Sequence, residues 1–339
     1  MGATFLISIW LLAGKIIMLP FRLPLWLTYP IKPIREKIRK IREKKTVKQI
    51  DLSRRRFVRY TTMGLSAYAF TGAAYGVLRH DSYKIENREI KIENLPPELR
   101  GTTITLISDI HAGQYMNEHE MREYADVIND LGSDIICIPG DFINFNAKDV
   151  HPLARAFRDL KAKHGVYGSL GNHDFFQDVE YVAKGIVNES PVLLLRNDHR
   201  KITINGKDLY MLGVDDTRGA GAHMEKVVEY YDIVDRKLID SEITYKDSPK
   251  ILLCHKPYGF DALAQRNVDL ILAGHTHGGQ VVPIKFGNFN MSFAATVSKY
   301  IEGLYKIGKS NMYVSRGIGS VGLPIRINCP PEITKITLV

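Results

Sequence analysis

Cysteine is scarce in this sequence: Cys137, Cys254 and Cys329 are the only three in 339 residues. Three scattered thiols build no disulfide framework, and none has the paired spacing that closes a structural zinc site, so all three are expected as buried thiols. Internal repeats and low-complexity tracts are also missing. A net positive balance is missing from most of the molecule despite a formal net charge of +9. Thirteen of the 46 Lys/Arg and three of the 37 Asp/Glu fall within residues 31–59, which leaves the rest of the chain with one net negative charge. Basicity confined to one short stretch gives no polyanion-binding composition elsewhere, and nucleic acid is not expected as a partner. What is present is 45% hydrophobic content in a chain long enough for one large domain with appendages.

The appendages lie at the N-terminus. Residues 3–14 are apolar and continue past Lys15 to Phe21 and then Leu23 to Leu27. With Lys15 and Arg22 snorkelling, this first segment, 1–30, has the length of a membrane span. Tyr60 to Leu78 carries no charge but is rich in Gly, Ala, Thr and Tyr, and a second span or signal anchor is expected over 60–79. The basic loop between them, 31–59, marks the cytoplasmic side, faces anionic lipid, and puts everything after Arg79 outside the cytoplasm. Ser53-Arg54-Arg55-Arg56-Phe57-Val58-Arg59 resembles the twin-arginine export signal of bacteria, which would make the twin-arginine export machinery a partner. An ordinary positive-inside loop is the alternative, with the same orientation.

From residue 80 to 339 the composition is that of an α/β domain. Ile85 to Ile92 reads as a strand. A rhythm follows: the run Thr103 to Ile107, a helix over Glu118 to Leu131, the run Ile135 to Ile138, a helix near Leu153 to Lys163, and the run Val166 to Leu170. Ile251 to Cys254, Leu270 to Ala273, Met312 to Ser315 and Ile333 to Leu338 supply further strands. Short apolar runs alternating with helical patterns predict stacked sheets flanked by helices.

The residues after these runs carry the chemistry. Thr103 to Ile107 leads into Ser108-Asp109-Ile110-His111, Ile135 to Ile138 into Pro139-Gly140-Asp141, and Val166 to Leu170 into Gly171-Asn172-His173-Asp174. Ile251 to Cys254 leads into His255, and Leu270 to Ala273 into Gly274-His275-Thr276-His277-Gly278-Gly279. Open α/β sheets place their sites at carboxyl strand ends. Carboxylate, amide oxygen and imidazole together suit divalent ions of intermediate hardness, and a carboxylate with two oxygens can bridge a pair of them. Singly, each residue has an ordinary explanation: Asp141 a turn, Asn172 a helix cap, His255 a buried imidazole. Jointly, their order and strand-end placement point to metal ligation.

These blocks, from Gly101 to Gln280, resemble the calcineurin-like metallophosphoesterase superfamily in type and order. The surroundings Ile107 to Gly113, Gly213-Val214-Asp215-Asp216, Ala273 to Gln280 and Gly317 to Ile333 are similar to its bacterial membrane-anchored or twin-arginine-exported branch. The resemblance implies a four-layer α-β-β-α sandwich of two mixed sheets flanked by helices. It implies that Asp109, His111 and His277 hold one metal, Asn172, His255 and His275 a second, and that Asp141 bridges them. Oxygen and nitrogen donors without thiolate fit Mn, Fe or Zn as the expected metals. It also implies that His173, supported by Asp174, acts as general acid or transition-state donor at the leaving oxygen, a role typically worth about 10²–10⁴-fold in rate. His199 is expected near the site or as a structural residue, and Asp215 and Asp216 as support for the ligands or as a turn. The expected activity is metal-dependent hydrolysis of a phosphomonoester or diester, with a membrane- or envelope-derived substrate. The alternatives are a pyrophosphatase for a nucleotide-linked lipid precursor, such as a UDP-diacylglucosamine, at the cytoplasmic face, and a non-catalytic metal-bound scaffold.

Overall fold

The computed structural model describes residues 36, 39–40, 45–78, 82–218, 224–241, 245–287 and 289–339. The chain divides into two compact units, Met1–Thr71 and Gly72–Val339.

The basic segment expected as a loop is helical from Lys45, and helix α1 (Lys45–Leu78) carries it unbroken into the weakly apolar stretch. No glycine or proline interrupts residues 45–63, so nothing stops the helix there. Phe57, Tyr60, Met63, Tyr68 and Phe70 are each more than half exposed. Among the described residues no helix is long and apolar enough to cross a membrane. Threonines, tyrosines and glycines dilute Tyr60 to Leu78 below what a bilayer core demands. The second span expected at 60–79 is therefore not found, and the topology that counted it loses that support. The first apolar segment, 1–30, lies outside the described residues.

The second unit begins with β1 (Lys84–Ile90), β2 (Thr103–Leu106), α2 (Glu118–Asp130), β3 (Ile135–Pro139), α3 (Val150–Ala156), β4 (Val166–Ser169), α4 (Val179–Glu189) and β5 (Val192–Leu194). It continues with β6 (Asp198–Ile204), β7 (Lys207–Gly213), α5 (Met224–Ser241), β8 (Lys250–Leu253), α6 (Phe260–Leu263) and β9 (Leu270–Ala273). The last elements are β10 (Ile284–Phe286), β11 (Phe289–Met291), α7 (Ala294–Val297), β12 (Gly303–Ile307), β13 (Ser310–Val314) and β14 (Glu332–Leu338). One sheet has the order β1-β14-β2-β3-β4-β5 and the other β12-β13-β9-β8-β7-β6, while β10 and β11 form a separate ribbon. The strands that lead into the expected ligands run parallel to one another: β2, β3 and β4 in the first sheet, β8 and β9 in the second.

Strand alternation sorts the side chains into layers. Ile104, Leu106, Ile135 and Cys137 pack with Met211, Leu253 and Leu272 between the sheets. Ile107, Ile136 and Ile138 turn the other way, onto Ile128 of α2, Leu153 of α3 and Ile186 of α4. Beyond the second sheet, Leu212, Leu252 and Ile271 meet Tyr231, Val234 and Leu238 of α5. The domain is thus an α-β-β-α sandwich of two mixed sheets, as expected. β3 is buried at all five positions because both its faces are covered, which is why it reads as an unbroken apolar run.

Helix α2 starts where expected, behind a capping box in which Asn117 accepts from the Glu120 backbone and the Glu120 carboxylate accepts from the Asn117 N–H. The helix expected near Leu153 to Lys163 is α3, which begins at Val150 and ends at Ala156. Leu160 reaches the same core from the turn beyond it, so the apolar spacing outlasts the helix. All three cysteines are buried free thiols.

Candidate metal centre

The carboxyl ends of β2, β3, β4, β8 and β9 deliver their side chains into one buried cluster. The Nε2 of His111 lies 3.0 Å from the Nε2 of His277 and 3.5 Å from Oδ2 of Asp141. The Nε2 of His255 lies 3.1 Å from the same Asp141 oxygen and 4.0 Å from Oδ1 of Asp109, and the His277 Nε2 is 3.5 Å from that Asp109 oxygen. Three overlapping triads have ligand atoms within 4.8 Å of one another: Asp109, His111 and His277; His111, Asp141 and His173; Asp141, His255 and His275. Asn172 stands between Gly171 and His173, whose N–H donates to Oδ1 of Asp141 at 2.9 Å. Its own Oδ1 is buried and accepts no hydrogen bond.

Two ligands two residues apart can meet one centre only if the chain turns between them, and it does. Asp109, His111, Asp141, His275 and His277 all have φ between 50° and 73°, the left-handed region that side chains with a Cβ avoid. Apart from asparagines, every described non-glycine residue with positive φ is one of these five or the adjacent Gln280. Such conformations persist only where surrounding contacts over-determine them. Here the Asp109 carboxylate accepts from the His275 N–H at 2.9 Å and from the Ser108 hydroxyl at 2.6 Å. Gly274 and Gly171 let the backbones close in, since a Cβ on Gly274 would collide with Oδ2 of Asp109 and one on Gly171 with the Asp141 carboxylate.

His173 is held differently from expectation. Its Nδ1 meets the Asn144 carbonyl at 2.6 Å, and its ring packs against Phe176, Phe145 and the edge of His111. Asp174 does not touch the imidazole. Its carboxylate accepts from the Phe142 and Ile143 N–H groups at 3.0 and 3.1 Å and from Gly171 N–H at 2.8 Å, binding the two ligand loops together. Burial, with Asp141 close by, pushes Asp174 up to about 8. Asp216 pairs with Lys256, next to the ligand candidate His255, at 2.9 Å, and Asp215 pairs with Arg196 at 2.9 Å; neither enters the triads, nor does His199.

Arg326 is a site residue that the sequence does not advertise. Only 3% exposed, its guanidinium donates to the carbonyls of Arg316, Gly317, Gly319 and Cys329 and lies 3.4 Å from Nδ1 of His277. The loop it holds backs onto Asp109: the N–H of Gly319 donates to the Asp109 carbonyl at 2.8 Å.

The charges in this pocket need one another. Burial drives Asp109 up to about 6, with His255 pulling down and Asp141 pushing up. Burial also opposes a charged imidazole, yet the carboxylates of Asp141, Asp109 and Asp216 together outweigh it at His255, which is pushed up to about 10. His111 falls to about 3 through burial, and His275 and His277 also fall, likewise through burial first. Three imidazoles kept neutral beside carboxylates form a donor set suited to a divalent cation. Two buried atoms fit that cation in particular: Oδ1 of Asn172 and Nε2 of His255 have no hydrogen-bond partner. The His255 nitrogen faces Asp141 without hydrogen-bond geometry, and its Nδ1 is committed to the Pro139 carbonyl at 2.8 Å. A ring nitrogen fixed on a backbone carbonyl with the other aimed at a carboxylate cluster is how metal-binding histidines are oriented.

A two-sheet sandwich that collects Asp, Asn and His at its strand ends defines an α/β protein with the donor set of a divalent-metal centre. Residues 102–279 match the calcineurin-like phosphoesterase family, and the chain belongs to that family. It is 30% identical to the uncharacterized metallophosphoesterase YkuE of Bacillus subtilis over 85% of this chain and 98% of that one. It is also 30% identical to a Danio rerio protein named "Transmembrane protein with metallophosphoesterase domain", over 78% of this chain but only 60% of that relative's length. The solved structure of TT1561 from Thermus thermophilus overlays with a TM-score of 0.43 and 13% identity, over 65% of this chain and 90% of that one.

Proposed function

We propose that this chain hydrolyses a phosphoester with a dinuclear metal centre while attached to a membrane. In this reading Asp109, His111 and His277 would hold one divalent ion, Asn172, His255 and His275 would hold the other, and Asp141 would be shared between the two sets. The single observation that carries the pair is the position of Oδ2 of Asp141, 3.5 Å from Nε2 of His111 in the first set and 3.1 Å from Nε2 of His255 in the second. Such a pair supplies an activated water and positive charge for the phosphate oxygens. The chain's own work is then to hold the donors rigid and to move one proton. His173 is the group for that: with Nδ1–H given to the Asn144 carbonyl, its Nε2 is left for the leaving oxygen. The oxygen and nitrogen donors suit Mn, Fe or Zn.

Attachment to a membrane is supported by the apolar first 30 residues, by the basic stretch 31–59, and by the printed name of the Danio rerio relative. The twin-arginine-like Ser53–Arg59 remains a proposed export signal on the same grounds of sequence.

The test uses the full chain purified in detergent, loaded with Mn²⁺ and screened against phosphomonoesters, diesters and nucleotide-linked pyrophosphates. Elemental analysis should find two metal equivalents in the wild type and a reduced content in Asp141→Asn, and turnover should collapse in that variant. A fully loaded wild type that turns over nothing in the screen would replace the enzyme reading with a metal-bound scaffold.

A further inference from the structure

The ribbon β10–β11 stands clear of the core: all three residues of β10 are exposed, Lys285 along with Ile284 and Phe286. Its register pairs Ile284 with Met291 and Lys285 with Asn290. Directly opposed residues share a face and neighbours along a strand alternate, so Ile284, Phe286 and Met291 lie on one face, Lys285 and Asn290 on the other. An antiparallel ribbon on a protein surface ordinarily turns its apolar face to the core. Here the polar face is the one tied to the domain: Lys285 is ion-paired with Glu302, and Asn290 donates to the Gly278 carbonyl at 3.1 Å. The apolar face is open to solvent, with Phe286 83%, Ile284 51% and Met291 49% exposed. Beyond the ribbon, Phe293 is 81% and Val297 57% exposed. Large apolar side chains gathered on one short segment mark a surface that meets something.

We infer that this ribbon, with Phe293 and Val297, inserts into the acyl layer of a membrane leaflet and sets the metal centre at the depth of the lipid headgroups. The chain itself supplies the argument for a bilayer as the occupant. The sequence outside the described residues holds the apolar segment 1–30, and residues 31–59 add ten net positive charges, so this chain is held where anionic lipid is the nearest apolar phase. Lys299, two residues past Val297, has a side chain 67% exposed and pairs with Asp261 at 2.9 Å, a surface ion pair that must open for the ammonium to meet a lipid phosphate. The ribbon is also coupled to the chemistry, because Asn290 holds the carbonyl next to His277. The substrate class that follows is a phosphoester carried in a lipid headgroup. That substrate assignment rests on the phosphoesterase reading; the insertion itself does not.

The experiment uses the full chain reconstituted into vesicles of phosphatidylethanolamine and phosphatidylglycerol. A single cysteine replaces Phe286 (Phe286→Cys) or, as control, Val187 of α4 (Val187→Cys), an apolar residue that is also exposed, at 51%. The native thiols are buried, so an environment-sensitive dye goes to the new one. The dye at 286 should shift to the blue and be quenched by brominated acyl chains, while the dye at 187 should do neither. Equal quenching at both positions, or none at 286, overturns the insertion. So does a disulfide between two copies at 286 without quenching, which would make the ribbon a self-association surface. In a second measurement, Phe286→Ser with Phe293→Ser should leave turnover of a soluble chromogenic diester unchanged and raise KM for a vesicle-embedded phospholipid by about tenfold. An unchanged KM there removes the substrate assignment. Failure of the enzyme reading would show as no turnover of either substrate, with the quenching still readable.

Discussion

The Nδ1 of His173 sits 2.6 Å from the carbonyl oxygen of Asn144, and this bond fixes which ring nitrogen is free. A backbone carbonyl accepts only, so Nδ1 keeps its hydrogen whatever the ring's charge. A proton arriving or leaving does so at Nε2.

Removing that nitrogen separates chemistry from metal binding. His173→Ala should lower kcat by about 10²–10⁴-fold with the metal content unchanged. Steady-state kinetics alongside elemental analysis checks both halves. A variant that loses metal and activity in parallel would make His173 a ligand instead.

Gly274→Ala should disable the site through a single methyl group. The added carbon meets Oδ2 of Asp109 and lies 2.6 Å from the Ser108 hydroxyl, neither of which has room to retreat. Overpacking of this kind costs about 1–3 kcal/mol. The expected readout is a lower melting temperature together with lost metal affinity.

Arg326→Met keeps the volume and deletes the donors to four carbonyls. Unpaired buried acceptors cost about 1–3 kcal/mol each, so thermal unfolding should fall sharply and metal occupancy at limiting metal should fall with it. Arg326→Lys should rescue little, because a point charge cannot fork to carbonyls on both sides.

Asp134 makes a pH-dependent clamp outside the candidate metal centre. Burial raises its carboxyl, but the N–H of Thr103 at 2.8 Å and its hydroxyl at 2.7 Å outweigh that, and the net shift is downward. A folded value below the unfolded one means that the stabilisation is present above the ordinary carboxylate range and disappears as pH falls through the folded value. Asp134→Ala should therefore cost about 1 kcal/mol at neutral pH, solvent screening included, and nothing in strong acid. Urea denaturation at the two extremes measures the difference.

The site is more legible in the sequence than its surroundings. Asp109, His111, Asp141, Asn172, His255, His275 and His277 each follow a short apolar run that forms a buried strand, so order along the chain carries the architecture. The resemblance supplies their division into two sets. Asn144 and Arg326 are hidden for a different reason: they act through backbone carbonyls and across long sequence separations, which no residue spacing encodes. β6 is obscured because only two of its seven residues, Ile202 and Ile204, are buried, which is too little alternation for a strand signal. Helix α1 escapes a reading in which charge suggests a loop and apolarity a span, because the backbone responds to neither and runs straight through the junction.

The strand order has a bearing on when the protein is finished. β14 lies between β1 and β2, parallel to the first and antiparallel to the second. The sheet carrying Asp109, Asp141 and Asn172 therefore has a gap in it until residues 332–338 have left the ribosome. Synthesis proceeds at about 5–20 residues per second, so β1 and β2 wait some tens of seconds for the strand that joins them. Closure of the first sheet is accordingly a late event, and a nascent chain stalled before residue 332 should be protease-sensitive at β1, whose one partner in that sheet is β14.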